Sequence, residues 1–120
     1  MILIKEFEFD AAHNLIDYHG KCEKLHGHTY KLVVKLSGKR GEEDMLYDFV
    51  ELKNLVKDEI ISKFDHAYLN DILEQPTAEN IAIYVWDQLE DKINRPNCKL
   101  YEVEIWETKT SGIVYRGEEA

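Results

Sequence analysis

A segment of regular alternation between apolar and polar residues runs from His28 to Leu36 and predicts a β-strand with one buried face. The row expected to face one way is His28, Tyr30, Leu32, Val34 and Leu36. His26 lies two residues before this row, across a glycine. Histidines two apart project from the same side of a strand, so both rings can contact one metal ion. The strand therefore predicts a metal site at its beginning.

Two further potential ligands lie close to these histidines in the sequence. His13 follows another strand-like segment, residues 2–9, and can supply a third nitrogen. Three neutral imidazoles suit zinc, and a site with three protein ligands leaves a fourth position open for water or substrate. Cys22 either lies beside that position as a nucleophile or base, or closes the site as a fourth ligand. The chain has no Cys-x-x-Cys pair, which structural zinc sites favour, so we favour the open, catalytic site.

Length and composition restrict the class of protein. The 120 residues suffice for one hydrophobic core, so we expect a single domain over residues 1–120. The net charge of −9 and the lack of a basic tract argue against nucleic acids and anionic membranes as partners. No apolar run reaches the length of a membrane span, no signal peptide precedes the first strand, and the two cysteines make no disulfide framework. These features favour a cytoplasmic protein.

The remaining periodicities predict two helices followed by two strands. Asp48 is the expected N-cap of the first helix, with Glu51 placed to complete a capping box, and Thr77 is the expected N-cap of the second. Strands follow over 99–108 and 112–116. The order ββααββ predicts an α+β fold, a four-stranded antiparallel sheet with two helices on one face. Such a sheet has two exposed edges, which small domains commonly cover by oligomerising.

One acidic residue breaks the pattern of the third predicted strand. Tyr101, Val103 and Ile105 are expected to share its buried face, and Glu107 falls on the same row. Burying an isolated carboxylate is costly. Glu107 is therefore either solvated at the strand end or available to a ligand that donates hydrogen bonds, and the pattern alone leaves both interpretations open.

Another pairing of acid and imidazole follows the first predicted helix. In Asp65-His66 the carboxylate can fix the tautomer of the imidazole and raise its basicity, as proton transfer requires. Adjacent side chains contact each other in this way only in a bend. From sequence alone, a turn that ends the helix, with His66 at the helix C-terminus, is a slightly better explanation. His19 has no partner at ligand spacing and is expected to lie in a loop.

Taken in order, these residues resemble a known family. The matching segments are Phe9-Asp10-Ala11-Ala12-His13, Cys22-x-x-x-His26-Gly27-His28, Asp48-Phe49, Asp65-His66-x-x-Leu69-Asn70, Pro76-Thr77-Ala78-Glu79-Asn80 and Glu107-Thr108. They are similar to the motifs of the 6-pyruvoyltetrahydropterin synthase family. The three residues between Cys22 and His26 most resemble its 6-carboxytetrahydropterin synthase branch, which feeds the 7-deazaguanine pathway to queuosine. Related branches use a glutamate in this loop in place of, or beside, the cysteine, and Glu23 occupies such a position.

The resemblance implies a fold, an assembly and a set of site residues. The fold is the tunnelling fold, or T-fold, assembled as trimers that stack into a homohexamer with active sites between subunits. The resemblance also implies that the zinc ligands are His13, His26 and His28. It implies that the catalytic residues are Cys22, Asp65 and His66. The implied substrate-binding residues are Glu107, Thr77 and Thr108. Among these, Glu107 is implied to bind the pterin ring.

The implied substrate is 7,8-dihydroneopterin triphosphate, and the implied products are 6-carboxy-5,6,7,8-tetrahydropterin, acetaldehyde and triphosphate. Because the triphosphate is anionic and the chain carries a net charge of −9, local cations must offset the overall field, and Lys21 and Lys24 are candidates. Two alternatives stay open. One is a related enzyme that makes a pyruvoyl product or cleaves the substrate side chain, and the other is a non-catalytic zinc-binding protein with Cys22 as a ligand.

Overall fold

A computed structural model describes residues 1–21 and 23–120, which form a five-stranded sheet with two helices. The strands are β1 (Ile2–His13), β2 (His26–Gly38), β3 (Ala67–Tyr68), β4 (Cys98–Trp106) and β5 (Gly112–Tyr115). Helix α1 (residues 49–64) joins α-helical Phe49–Val56, π-helical Lys57–Ile61 and a helical turn at Ser62–Phe64, and α2 is Ala78–Ile93. Short 3-10 helices lie at Glu42–Asp44 and Leu69–Asp71. None of the helices in these residues is both long and apolar enough to cross a membrane.

The strand order is β3-β1-β2-β4-β5, and the four longer strands pair antiparallel, as the sequence predicts. The prediction of four strands is wrong by one. Ala67–Tyr68 adds a short parallel pairing with Ala11 and Ala12 at the end of β1. Two residues are too few to show an alternating pattern, so β3 leaves no signal in the sequence. Its pairing holds the chain that follows α1 against the end of β1.

Both helices begin at the residues that the sequence predicts. Asp48 Oδ1 accepts hydrogen bonds from the backbone N–H groups of Val50 and Glu51, at 2.7 and 3.4 Å. Thr77 Oγ1 accepts from the N–H of Asn80 at 3.1 Å. The expected capping box is wrong, because the Glu51 side chain pairs with an arginine beyond α2 rather than with the N-cap. These caps satisfy N–H groups that a helix leaves free at its start.

The hydrophobic core lies between the two helices and one face of the sheet. Its fully buried side chains come from β1, β2, β4, both helices and the 3-10 helix at Leu69–Asp71, and include Tyr30, Leu32, Leu36, Leu52, Ile60, Ile81, Leu89 and Ile105. The rows that face this core contain the odd-numbered residues of β1 from Phe7 onward and the even-numbered residues of β2. Alternate residues face away from the helices.

A bulge interrupts the alternation of β4. Lys35 pairs with Glu102, whereas Leu36 pairs with Leu100, so Tyr101 is an extra residue on this strand. Leu100 therefore takes the core position that the sequence pattern assigns to Tyr101, and that assignment is wrong. Beyond the bulge the predicted alternation is restored, with Val103 and Ile105 in the core.

The bulge leaves an ionic cluster on the sheet face opposite the helices. Glu102 is only 3% exposed, and Lys35 Nζ lies 2.6 Å from its Oε2 and 2.7 Å from Glu104 Oε2. Arg116 Nη2 lies 3.0 Å from Glu102 Oε1, and Trp106 Nε1 donates to Glu104 Oε1 at 2.9 Å. Burial alone would raise the pKa of Glu104, but hydrogen bonds with Glu102, Lys35 and Trp106 lower it to about 2. The cluster ties β2 and β4 to Arg116, the residue that follows β5.

Glu104→Gln is expected to lower the free energy of unfolding at neutral pH. We also expect the free energy of unfolding of this variant to fall less steeply than that of the parent as the pH is lowered. Because the folded state lowers the pKa of Glu104 from 4.5 to about 2, its stabilising contribution is present above pH 4.5 and is lost as the pH falls toward 2. Urea unfolding between about pH 7 and pH 3 measures both effects. Glu42→Gln, in an exposed 3-10 helix, is the control. Parallel unfolding profiles for Glu104→Gln and the parent would contradict the lowered pKa.

Candidate metal centre and active site

Pairing between β1 and β2 brings three histidines together. His13 lies opposite His26, and His28 lies opposite Ala11, two residues further along the ladder. All three rings are on the core-facing rows, and His13 is only 2% exposed. The ring centroids are 4.7, 4.9 and 5.2 Å apart. The antiparallel register thus converts two histidines of one strand and one of its neighbour into a compact group.

Two backbone carbonyls fix the tautomers of His13 and His26. Nδ1 of His13 lies 2.9 Å from the carbonyl oxygen of Pro76, and Nδ1 of His26 lies 2.8 Å from that of Lys24. Because a carbonyl can only accept, each Nδ1 donates and each Nε2 keeps its lone pair. The two Nε2 atoms face each other at 3.1 Å. Ligand nitrogens of a tetrahedral zinc site are about 3.3 Å apart for Zn–N bonds of about 2.0–2.1 Å, so the pair fits a zinc ion.

His28 and Glu107 complete this group. His28 Nε2 is buried without a well-oriented hydrogen-bond partner among the described residues, and Glu107 Oε1 lies 2.9 Å from it. The same carboxylate oxygen is 3.2 Å from His13 Nε2. Ligand atoms of His13, His26, His28 and Glu107 all lie within 4.8 Å of one another. Three imidazoles and one carboxylate form a donor set that suits zinc.

The charge state of His28 is compatible with a metal ligand. Burial lowers the pKa of His28, the Glu107 carboxylate partly offsets this, and His13 and His26 lower the pKa further. A lowered pKa favours the neutral imidazole, which is the form that binds metal. The surroundings of His28 therefore favour a free lone pair on the ring.

Tyr30 supports the group from the core. Its side chain is fully buried, and its hydroxyl lies 3.3 Å from His13 Nδ1. Burial, together with the carboxylates of Glu107 and Glu23, raises the pKa of Tyr30 above its usual range, so the hydroxyl keeps its proton. Sequence reasoning placed Tyr30 on the core-facing row but assigned it no role. Its position two residues after His28 was the available signal.

Asp65 and His66 form a bend in which carboxylate and imidazole touch. Nδ1 of His66 lies 3.1 Å from Asp65 Oδ2, and His66 has a left-handed backbone with φ of 61°. The N–H of Asp10 donates to Asp65 Oδ1 at 3.0 Å, and the N–H of His66 donates to the carbonyl of Asp10 at 2.6 Å. The first of these bonds is the main cause of the lowered pKa of Asp65. The helix-ending turn that the sequence favoured thus also creates the acid–imidazole contact.

This pair forms a cluster distinct from the histidine group, although His66 and His28 both line one open cavity of about 470 Å³. The side chains of Asp65 and His66 cluster with Asp10, whose carboxylate accepts a hydrogen bond from Thr29 Oγ1 at 2.5 Å. Asp10 and Thr29 are exposed and alternate with the core-facing residues of β1 and β2, so they lie on the other face of the sheet. His66 is 79% exposed. A single chain thus presents two groups of chemically active side chains on opposite faces.

An open cavity of about 650 Å³ adjoins the histidine group. Its walls include His28, Lys31, Trp106, Glu107, Thr108 and Lys109. Thr108 and Glu107 thus line the same cavity. Thr77 is not among the lining residues of this cavity, and its hydroxyl caps α2 instead.

The positive charges of the cavity are not those that the sequence suggested. Lys31 and Lys109 line it, whereas Lys21 and Lys24 do not. Lys31 faces away from the core on β2, and Lys109 lies in the turn after β4, so only the folded sheet brings them together. Cys22, the predicted base or fourth ligand, lies outside the described residues.

Comparison with known proteins identifies the family. The family model described as 6-pyruvoyl tetrahydropterin synthase matches residues 2–118 of the chain. The chain belongs to this family. It is 40% identical to the 6-carboxy-5,6,7,8-tetrahydropterin synthase of Synechocystis sp., over 95% of this chain and 92% of that protein. It is 37% identical to the 6-pyruvoyl tetrahydrobiopterin synthase of Dictyostelium discoideum, over 98% and 97% of the respective chains.

The solved structure of Caenorhabditis elegans 6-pyruvoyl tetrahydropterin synthase has the same fold. It superposes with a TM-score of 0.82 at 27% identity, covering 98% of this chain and 96% of that chain. The predicted family and the predicted T-fold are confirmed. The family is one of pterin-processing enzymes, and its members named above differ in the product they form.

Proposed function

We propose that this chain is a zinc-dependent lyase of 7-deazaguanine and queuosine biosynthesis, acting as a single domain over residues 1–120. It converts 7,8-dihydroneopterin triphosphate and water into 6-carboxy-5,6,7,8-tetrahydropterin, acetaldehyde and triphosphate. The observation that carries the proposal is the pair of facing Nε2 atoms of His13 and His26, with His28 and Glu107 beside them at a cavity. The spacing of Cys22 and His26 supports the carboxy branch. A cytoplasmic location stays a prediction of the sequence.

His13, His26 and His28 would hold the zinc ion. When bound there, zinc supplies Lewis-acid chemistry that polarises substrate oxygens and lowers their pKa. The chain prepares its own ligands, because the carbonyls of Pro76 and Lys24 orient two of the rings through Nδ1. Such hydrogen bonds hold the Nε2 lone pairs in place before metal arrives.

Asp65 and His66 would carry protons to and from the substrate. An ionised Asp65 accepts from Nδ1 of His66 and holds the imidazole in the tautomer whose Nε2 takes a proton. The exposed His66 ring leaves that atom accessible. Cys22 is proposed as the thiolate that removes a proton from a substrate side-chain carbon, and this role rests on the family resemblance.

Glu107, Trp106 and Thr108 would bind the pterin ring in the cavity. A carboxylate accepts two parallel hydrogen bonds, which matches the amide N–H and exocyclic amine of a pterin. Lys31 and Lys109 would offset the charge of the triphosphate, while a ring contact by Thr77 stays a prediction. The Glu107 carboxylate contacts His13 and His28 and also lines the cavity, so it lies at the boundary between the histidine group and the proposed ring site.

We further propose a homohexamer, a dimer of trimers, whose active sites combine residues of neighbouring subunits. Asp65 and His66 cluster on the sheet face opposite the rings of the histidine group, and this separation favours a site that takes the two groups from neighbouring chains. Residues 2–10 of β1 have no partner strand on their outer side in the described chain, and Ile2 and Ile4 are exposed there. Light scattering after gel filtration measures the assembly, and a monomeric active enzyme would contradict this proposal.

Glu107→Gln is expected to weaken binding of plain pterins by roughly 10- to 100-fold, because it turns one acceptor of a charge-assisted pair into a donor. Fluorescence titration of zinc-loaded protein measures the affinity. Glu8→Gln, which removes the same charge from another cavity wall residue, is the control. Zinc affinity should change little in either variant. A large loss of zinc from Glu107→Gln with unchanged pterin affinity would instead make Glu107 a metal ligand.

Product analysis tests the reaction itself. Zinc-loaded protein is incubated with 7,8-dihydroneopterin triphosphate, and the products are identified by mass spectrometry and an acetaldehyde assay. Acetaldehyde together with the carboxy pterin supports the proposal. A pyruvoyl pterin without acetaldehyde identifies the sister synthase, and loss of the side chain without the carboxy product identifies the side-chain-cleaving relative. No turnover, with a sulfur charge-transfer band after cobalt substitution, identifies a non-catalytic site closed by Cys22.

A further inference from the structure

The three residues that follow His13 are held by side chains rather than by a neighbouring strand. The N–H of Asn14 donates to Asn70 Oδ1 at 3.1 Å, and its carbonyl accepts from Asn70 Nδ2 at 2.8 Å. Two residues on, the N–H of Ile16 donates to Gln75 Oε1 at 2.7 Å, and its carbonyl accepts from Gln75 Nε2 at 2.8 Å. Each amide thus makes the pair of bonds that a peptide group of a partner strand would make.

Leu15 is held from the other side by the carboxylate and the backbone N–H of Glu23. Its N–H donates to Glu23 Oε1 at 3.1 Å, and its carbonyl accepts from the N–H of Glu23 at 2.9 Å. In an extended chain, backbone groups of successive residues point to opposite edges, which explains why Glu23 lies opposite Asn70 and Gln75. Together these bonds engage all six backbone N–H and C=O groups of residues 14–16, four of them through Asn70 and Gln75.

The segment that carries Gln75 also holds His13. Pro76, the next residue, accepts from Nδ1 of His13 at 2.9 Å. The carbonyl of Gln75 accepts from the N–H of Thr77 at 2.9 Å and from Asn80 Nδ2 at 2.8 Å, which anchors the segment to the start of α2. The Gln75-Pro76 segment thus hydrogen-bonds to both the ring of His13 and the backbone of Ile16.

We propose that Gln75 and Asn70 are positioning residues for the metal centre, because they fix the segment that joins His13 to the loop before His26. This inference rests on the zinc site of the proposed function. Glu23 holds the same segment on the opposite edge through its bonds to Leu15. An amide is required at 70 and 75, because only an amide offers a donor and an acceptor side by side.

The Gln75 amide is expected to keep the segment after His13 ordered before the site binds metal. Without the Gln75 amide, the N–H and carbonyl of Ile16 turn to water and the segment after His13 loses its attachment to α2. Removing hydrogen-bonded groups that orient metal ligands typically lowers metal affinity by about 10- to 100-fold. Gln75 acts one step further away, through the backbone, so we expect a loss of about 10-fold.

Gln75→Met tests the inference, because methionine has a similar length and makes neither hydrogen bond. Cobalt affinity is measured by competition with a chelator, with the visible cobalt spectrum as a second signal, and amide exchange of residues 14–16 is measured by mass spectrometry. We expect cobalt binding about 10-fold weaker, an altered spectrum and faster exchange. Gln88→Met, the same change on α2, should leave all three unchanged, since no described hydrogen bond involves the Gln88 side chain.

Asn70→Asp provides a second variant and replaces Gln75→Met if that protein does not fold. It keeps the acceptor for the N–H of Asn14 and places an acceptor against the Asn14 carbonyl. Faster exchange with unchanged cobalt affinity would overturn the inference, as would unchanged exchange. A parent protein that binds no cobalt also overturns it. None of these measurements uses the substrate, so failure to form the carboxy pterin would refute the proposed reaction alone.

Discussion

His26→Ala is expected to abolish both zinc binding and turnover while leaving the fold intact. The Nε2 atom of His26 faces that of His13 at 3.1 Å, so the substitution removes one of the two nitrogen atoms that are best oriented to bind zinc. The loss of zinc affinity should exceed the roughly 10- to 100-fold that follows loss of an outer hydrogen-bond partner. Atomic absorption after dialysis measures metal content, which should be about one zinc per chain in the parent.

His19→Asn is the control for this variant. His19 is exposed in the loop after β1 and does not belong to the histidine group, so its replacement should leave metal content and turnover unchanged. Circular dichroism checks that His26→Ala retains its secondary structure. Zinc content in His26→Ala equal to that of the parent would refute the ligand assignment.

His66→Asn is expected to reduce turnover by about 10²–10⁴-fold, the usual cost of losing a general acid–base group, with zinc content unchanged. Asparagine suits this position because His66 has φ of 61°, a left-handed conformation that asparagine adopts readily. His19, with φ of 52°, provides a control for the same substitution in the same backbone conformation. Steady-state kinetics with 7,8-dihydroneopterin triphosphate measures the effect. Parent-like turnover in His66→Asn would exclude a catalytic role.

Mixed assemblies of His26→Ala and His66→Asn subunits then test where the active site lies. If each site combines the histidine group of one subunit with His66 of another, some sites in mixed hexamers contain neither substitution and recover turnover. If both groups act within one chain, every site contains a substitution and activity stays lost. Co-expression with two affinity tags allows mixed particles to be isolated.

The sequence was informative wherever a structural feature depends on local pattern. The alternation over β2 requires no knowledge of the rest of the chain, and the caps at Asp48 and Thr77 involve only residues up to three positions away. The bulge at Tyr101 and the short strand Ala67–Tyr68 were not predictable. Both exist because distant segments pair with each other, and neither disturbs a local pattern enough to be recognised.

The same distinction applies to the candidate site. The alternating patterns were enough to place His26 and His28 on one face of a strand and to single out Glu107 as a carboxylate in line with an apolar row. Which nitrogen of His13 carries the proton depends on the folded chain, because the Pro76 carbonyl that bonds His13 is 63 residues away in the sequence. The amide pairs of Asn70 and Gln75 likewise span 56 and 59 residues. Such contacts depend on how the chain between α1 and α2 packs against the end of β1, and no spacing along the sequence encodes them.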